Sequence, residues 1–257
     1  MRAAVPVIIS SRNRAFYLWA CLDALHRNTS APRTFHLVDM CSDDPSVGKV
    51  LLGFERRELF SEVYRAPKNE ARFLADFIAS RLEKFGEYFA YIESDVIVPD
   101  LDPCWLAQMA DLMDQNPKLV MLGSAIDKRD FVGLDTFDRL HDKENPEKFY
   151  ALIKADSPER HQDLVGAGGA KLFRPHNPPG RLLLLRTAAV KEIGLRADTE
   201  LDQKFIAAGY ETAIATGVIH RHLSLTQIFD YPDYDLNSRN AHMQSIYSPR
   251  DSNASGD

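Results

Sequence analysis

Cysteine is scarce in this chain. Cys21, Cys41 and Cys104 are three among 257 residues, and no two of them form a Cys-x-x-Cys pair. That argues against both a disulfide framework and a thiolate zinc cluster, and it fits a reducing, cytoplasmic setting. An apolar run of about 20 residues, the length needed to span a bilayer, is also missing. The apolar stretch near the amino terminus, Ala3 to Ile9, is too short and too β-branched for a secretory signal, so any membrane contact is expected to be peripheral. Nor is there a surplus of positive charge. Lys and Arg number 31 against 37 Asp and Glu, for a net charge of -6, which speaks against a dedicated nucleic-acid binder. The small-residue run Gly166, Gly168, Gly169 lacks the Lys-Ser or Lys-Thr and the strand-to-helix context of a P-loop, and reads better as a hinge. What remains is 45% hydrophobic and 26% charged, the composition of a globular protein with a sizeable core.

The first half alternates two periodicities. β-branched and aromatic runs at Ala4–Ile9, Thr34–Val38, Glu62–Tyr64, Tyr88–Ile92 and Leu119–Leu122 read as strands. Between them Arg14–Asn28, Val47–Phe54, Glu70–Phe85 and Trp105–Gln115 place apolar residues at helical spacing. Repeated βα units of this kind predict an α/β fold with a mostly parallel sheet covered on both faces. The pattern breaks over 127–180, which is charged, then Gly-rich, then Pro-rich, and is expected to be an irregular insertion or lid. Order returns with strands at Arg181–Arg186 and Glu211–Ile219 and helices at Ala188–Ile193 and Asp198–Ala208. One domain over 1–247 is expected, in three parts (1–126, 127–180 and 181–247), with a disordered tail over 248–257.

The most informative stretch is the strand Tyr88–Ile92, which ends in Glu93-Ser94-Asp95. Open α/β sheets bind ligands at the carboxyl edge of their strands, and two carboxylates there offer hard oxygen ligands for Mn²⁺ or Mg²⁺. Glu93 and Asp95 are therefore candidates for a metal-diphosphate site. His220 and His222 share one side of the last strand by the period of two, and either can add an imidazole ligand. Asp198 opens an apolar-periodic helix, where a helix cap is also at home, and Asp202 shares its face four residues on.

Taken in order, these segments resemble a family-2 glycosyltransferase of the GT-A fold. Val7-Ile8-Ile9-Ser10-Ser11-Arg12-Asn13-Arg14 is similar to the family's opening segment, and Val38-Asp39-Met40-Cys41-Ser42-Asp43-Asp44 to its second strand and turn. Glu93-Ser94-Asp95 stands where the family has Asp-x-Asp, and Asp198 through Gly209-Tyr210 resembles its acidic helix. Val218-Ile219-His220 falls at its late strand ending in histidine. The resemblance implies that Asp39 binds a nucleobase edge, that Ser10, Ser11 and Arg12 contact the nucleotide, and that Asp95 contacts the metal directly, with Glu93 and Ser94 beside it. It implies a general base, for which Asp198 comes first and Glu200 and Asp202 follow, because Ala197-Asp198 replaces the family's Glu-Asp pair. Arg181 and Arg186 flank a strand where the family often places phosphate- or acceptor-binding groups.

The function expected is metal-dependent, inverting transfer of a sugar from a nucleoside diphosphate sugar, UDP- or GDP-linked, to the hydroxyl of a glycan, a lipid-linked saccharide, a protein or a small molecule. Two alternatives stay open: a sugar-phosphate nucleotidyltransferase, and a degenerate nucleotide-sugar-binding domain.

Overall fold

The computed structural model describes residues 2–127, 171–174 and 181–223. The expected tail, and most of the expected insertion with its Gly166, Gly168 and Gly169, lie outside the described residues.

The helices form where apolar side chains recur at three and four residues. In α1 (Ala15–Asn28) Leu18, Cys21, Leu22 and Leu25 are fully buried, while Phe16 and Trp19 project to the other side. Helix α2 (Pro45–Glu55) starts on Asp44, whose carboxylate accepts from the Ser46 N–H at 2.7 Å, with Pro45 in the first turn. The helix expected over Glu70–Phe85 is instead α3 (Ala71–Ala79) followed by a 3₁₀ turn at Leu82–Lys84. Hydrogen bonding accounts for the break. The Phe77 carbonyl accepts from Ser80 Oγ and Arg81 Nη1, at 2.9 and 3.0 Å, and the Arg81 N–H turns to Ile78. The described residues also form α4 (Trp105–Gln115), α5 (Thr187–Ile193) and α6 (Asp198–Ala207).

Among the described residues nine strands make the sheet: β1 (Val5–Ser11), β2 (Arg33–Asp39), β3 (Phe60–Arg65), β4 (Tyr88–Glu93), β5 (Val96–Ile97), β6 (Leu119–Ile126), β7 (Leu172–Phe173), β8 (Leu182–Arg186) and β9 (Glu211–His222). Their order is β3-β2-β1-β4-β8-β6-β9-β5, with β7 on β9. β1, β2, β3 and β4 run parallel, and β9 runs parallel to β6. β8 lies antiparallel between β4 and β6, so their carboxyl ends still point the same way. Sequence reading misses β5 and β7, which at two residues each show no periodicity. β7 also corrects the expectation of an irregular 127–180, because Leu172 and Phe173 pair with Ala215 and Ile214.

The inner strands are continuously apolar because both faces are covered. Val7, Ile9, Ala90, Ile92, Leu182 and Leu184 pack with α1, α2 and α4, while Ile8, Phe89, Leu183 and Leu185 pack with α3, α5 and α6. The chain leaves β1 through α1 toward β2 on one side, while β4 adds to the other. Neighbouring connections thus part at β1/β4, the position in such sheets where a crevice opens at the carboxyl edge.

Candidate functional site

A cleft of about 400 Å³ opens there. Its walls are Ser10–Arg14 after β1, Glu93–Asp95 after β4, and Met40, Asp44 and Asn69. The register places Ser10 beside Glu93 and Ser11 beside Asp39, and the Ser94 N–H donates to the Ser10 carbonyl at 3.0 Å. The loop after β1 is held in an unusual shape. Asn13 and Arg14 both have positive φ, 51° and 54°, which for a bulky side chain such as Arg14 costs on the order of 1–3 kcal/mol. Asn13 fastens this loop to the one after β2. Its N–H donates to Ser42 Oγ at 2.8 Å, its amide nitrogen to Asp43 at 2.7 Å, and its amide oxygen accepts from the Asp43 and Asp44 N–H groups.

The acidic pair meets a histidine from far along the chain. β9 changes register between Ser124↔Ala215 and Ala125↔Ile219, a bulge around Gly217, and beyond it His222 pairs with Val96 just past the acidic motif. The Leu223 N–H closes on the Asp95 carbonyl at 2.9 Å. Ligand atoms of Glu93, Asp95 and His222 consequently all lie within 4.8 Å of one another. His222 Nε2 is 3.9 Å from Asp95 Oδ1, and Arg14 Nη1 is 3.3 Å from Asp95 Oδ2. Arg181 Nη1 bonds Glu93 Oε1 at 2.7 Å. Burial pushes the Glu93 carboxyl above its ordinary range, Arg181 pulls it back, and the neighbouring Asp95 charge raises it again.

The expected site residues divide by position. His220, fully buried, is not part of the cluster; its Nδ1 lies 2.7 Å from Ser124 Oγ, and its ring centroid 6.2 Å from that of His222. Burial, with His222 adding to it, holds its pKa down at about 3, so the ring is neutral. Asp39 is buried and caps its own turn, accepting from the N–H and the hydroxyl of Ser42. Arg12 is exposed on the cleft wall.

Asp198 stands in the first turn of α6, one residue past the N-cap Ala197, and its charge acts on Glu93, Arg181 and Tyr91. The other two candidate bases are engaged elsewhere. Glu200 pairs with Arg196 and Lys204 on the exposed side of α6, at 3.3 and 3.9 Å. Asp202 is buried against Thr212, and that burial raises its pKa.

Arg186 does not reach the cleft, contrary to the expectation that it binds the donor. β8 runs antiparallel to β4, so Arg181 lies at the Glu93 end and Arg186 opposite Tyr88, roughly 17 Å away along the strand at about 3.3 Å per residue. There its guanidinium donates to Glu87, to the Met113 carbonyl at 3.1 Å and to the Leu119 carbonyl at 3.4 Å. Arg14 is the site residue that sequence reasoning missed, although it ends the matched opening segment directly after Asn13.

No protein-family model matches the chain, and no curated protein matches it by sequence. Solved structures do. The mannosyltransferase PcManGT from Pyrobaculum calidifontis, in complex with GDP-Man and Mn²⁺, is 15% identical and superposes with a TM-score of 0.56, over 84% of this chain and 56% of that one. GalNAc-T7 with UDP, GalNAc and Mn²⁺ is 14% identical, with a TM-score of 0.57 over 90% of this chain and 45% of that one. The chain thus spans about half the length of the structures it matches. At such identities the likeness is one of architecture, and the architecture is that of the GT-A glycosyltransferases.

Proposed function

We propose that this chain is a metal-dependent glycosyltransferase, hexosyltransferase-like, that moves a sugar from a UDP- or GDP-sugar to an acceptor hydroxyl with inversion. The observation that carries this reading is the convergence of Glu93 and Asp95, on the wall of the cleft at the β1/β4 crevice, with the buried His222, all within 4.8 Å. Two carboxylates and one imidazole fit a divalent ion, and the nitrogen ligand favours Mn²⁺ over Mg²⁺, which prefers an all-oxygen shell. Such an ion, when bound, neutralises charge on the departing nucleoside diphosphate.

The chain's own residues do the rest. Asp95, buried and fixed by the strands on either side, holds the ion. Arg181 fixes one oxygen of the Glu93 carboxylate and opposes the rise in pKa that burial imposes on it. Ser10, Ser11 and Arg12 line the nucleotide's path, and Asp39 orders the turn against which the base rests. Asp198 takes the acceptor hydroxyl's proton as the oxygen attacks the anomeric carbon from the face opposite the diphosphate. The acceptor is a glycan, a lipid-linked saccharide or a small molecule.

One observation favours a second reading, a nucleotide-sugar-binding domain without transfer. Glu93 stands where the related motif has Asp, and it is already committed to Arg181.

A thermal-shift screen of UDP, GDP, CMP and their sugar conjugates, with and without Mn²⁺, tests the site on the wild type and on Asp95→Ala. A ligand that binds only the native state raises its melting temperature. Metal-dependent stabilisation by one nucleoside diphosphate, lost in the variant, is the expected result; no shift under any condition sinks the reading. Donor hydrolysis or transfer by the stabilised protein then separates enzyme from binding domain.

A further inference from the structure

Arg14 is at once strained, aimed at the candidate metal site and unassigned by the function above. Its left-handed backbone is forced by the Asn13 fastening to Ser42, Asp43 and Asp44, and it brings Nη1 to 3.3 Å from Asp95 Oδ2. Asp95 is the most buried acid of the cluster, and it is therefore shared by two cationic claimants: a guanidinium already beside it, and the divalent ion its neighbours are placed to hold.

We infer that Arg14 couples metal binding to donor binding: it occupies Asp95 until the ion arrives, and then transfers its guanidinium to the diphosphate of the incoming nucleotide. The inference rests on the donor-site reading and adds a residue and a binding order to it. The distances support the transfer. A divalent ion held by Asp95 would bring a donor phosphate close to that carboxylate, and the Arg14 guanidinium already stands 3.3 Å from it. Arg also presents a planar fork of donors that matches phosphate better than a point charge does. With metal alone, two cations crowd one carboxylate and oppose each other. With the diphosphate present, both are satisfied. Metal and nucleotide therefore bind with positive coupling, which must be equal in both directions.

Calorimetric titration of the wild type, Arg14→Gln and Arg14→Lys with MnCl₂ alone, and with UDP and GDP at saturating Mn²⁺, tests this. Melting curves first establish that each variant is folded; Arg14→Lys keeps the charge should the neutral variant fail. Arg14→Gln is expected to bind Mn²⁺ alone about threefold to tenfold more tightly, since its competitor is gone, and the nucleoside diphosphate about tenfold more weakly, as for loss of one charged hydrogen-bond partner in a partly exposed site. Arg14→Lys is expected to keep the weaker metal affinity and lose part of the nucleotide affinity. Unchanged or weaker Mn²⁺ binding in Arg14→Gln overturns the competition, and unchanged nucleotide binding overturns the transfer. A wild type that binds neither Mn²⁺ nor either nucleotide removes the donor site itself, a failure distinct from both.

Discussion

Arg181 and Glu93 stand 88 positions apart in the chain and 2.7 Å apart in space, facing each other across the antiparallel β4–β8 pair. Both are half-buried, and each acts on the other's proton equilibrium: Glu93 raises the Arg181 pKa as Arg181 opposes the rise at Glu93.

Arg181→Gln removes the cation that moderates the rise at Glu93, while burial and Asp95 go on raising it. Protons then compete with metal for Glu93 at higher pH. Mn²⁺ titrations between pH 5 and 8 are expected to show the fall in affinity on acidification beginning at higher pH than in the wild type; coincident curves would mean that Glu93 is not a ligand.

The three acids of α6 separate by phenotype. Asp198→Asn is expected to lower transfer by about 10²–10⁴-fold, the usual share of a general base, with nucleotide-induced stabilisation intact. Glu200→Gln, whose pairs lie at the surface, changes neither by much. Asp202→Asn acts on the melting temperature, because its carboxyl is buried against Thr212. Equal activity in Asp198→Asn and the wild type would exclude Asp198 as the base.

Arg186→Ala is a stability variant. It leaves two backbone carbonyls at the α4–β6 junction without their guanidinium donor, at a cost of about 1–3 kcal/mol. Urea unfolding measures that loss. The nucleotide affinity of the folded fraction should match the wild type.

A pH-dependent contribution sits at the opposite edge of the sheet, where Arg81 chelates Glu62 and His36 lies 3.5 Å from it. Arg81 holds the Glu62 pKa below its usual value against some desolvation. The folded-state pKa is the lower one, so the stabilisation is present above the unfolded pKa, near 4.5, and disappears as pH falls through the depressed value. Glu62→Gln is expected to cost about 1 kcal/mol at pH 7, discounted for its exposure, and progressively less as pH falls below 4.5. A cost that persists at pH 3 would assign the loss to packing.

Most of this arrangement was legible in the chain. Tyr88–Ile92 is a strand by composition, and its abrupt end in Glu93 and Asp95 marks the edge where the cleft opens. The heptad-like spacing of Leu18, Leu22 and Leu25 fixes α1 to within a residue. What escaped depends on pairing rather than on pattern. The periodicity of Arg181–Arg186 reveals a strand but not its direction, and direction alone decides that Arg181 rather than Arg186 meets Glu93. His220 and His222 look equivalent by alternation, yet the bulge near Gly217 and the short β5 bring only His222 to the carboxylates. Arg14 was hidden because its reach comes from a backbone turn that local composition does not favour.

The reversed strand β8 has a consequence for synthesis. Among the described residues, its five residues link the β3-β2-β1-β4 block to the β6-β9 block in the sheet order. A nascent chain that has emerged only as far as Ile126 therefore holds one slab, β3-β2-β1-β4, and a β6 whose partner strands β8 and β9 are still to come, with unzipped margins along β4 and β6, the kind of open edge that invites foreign strands. Those margins close together when Leu182–Arg186 slots between them, and the same event delivers Arg181 to Glu93. His222 arrives only with the last described strand. On the proposed reading, competence to hold metal is thus a late milestone of maturation, and Mn²⁺ uptake by ribosome-released chains would report that the two parts of the sheet have been joined.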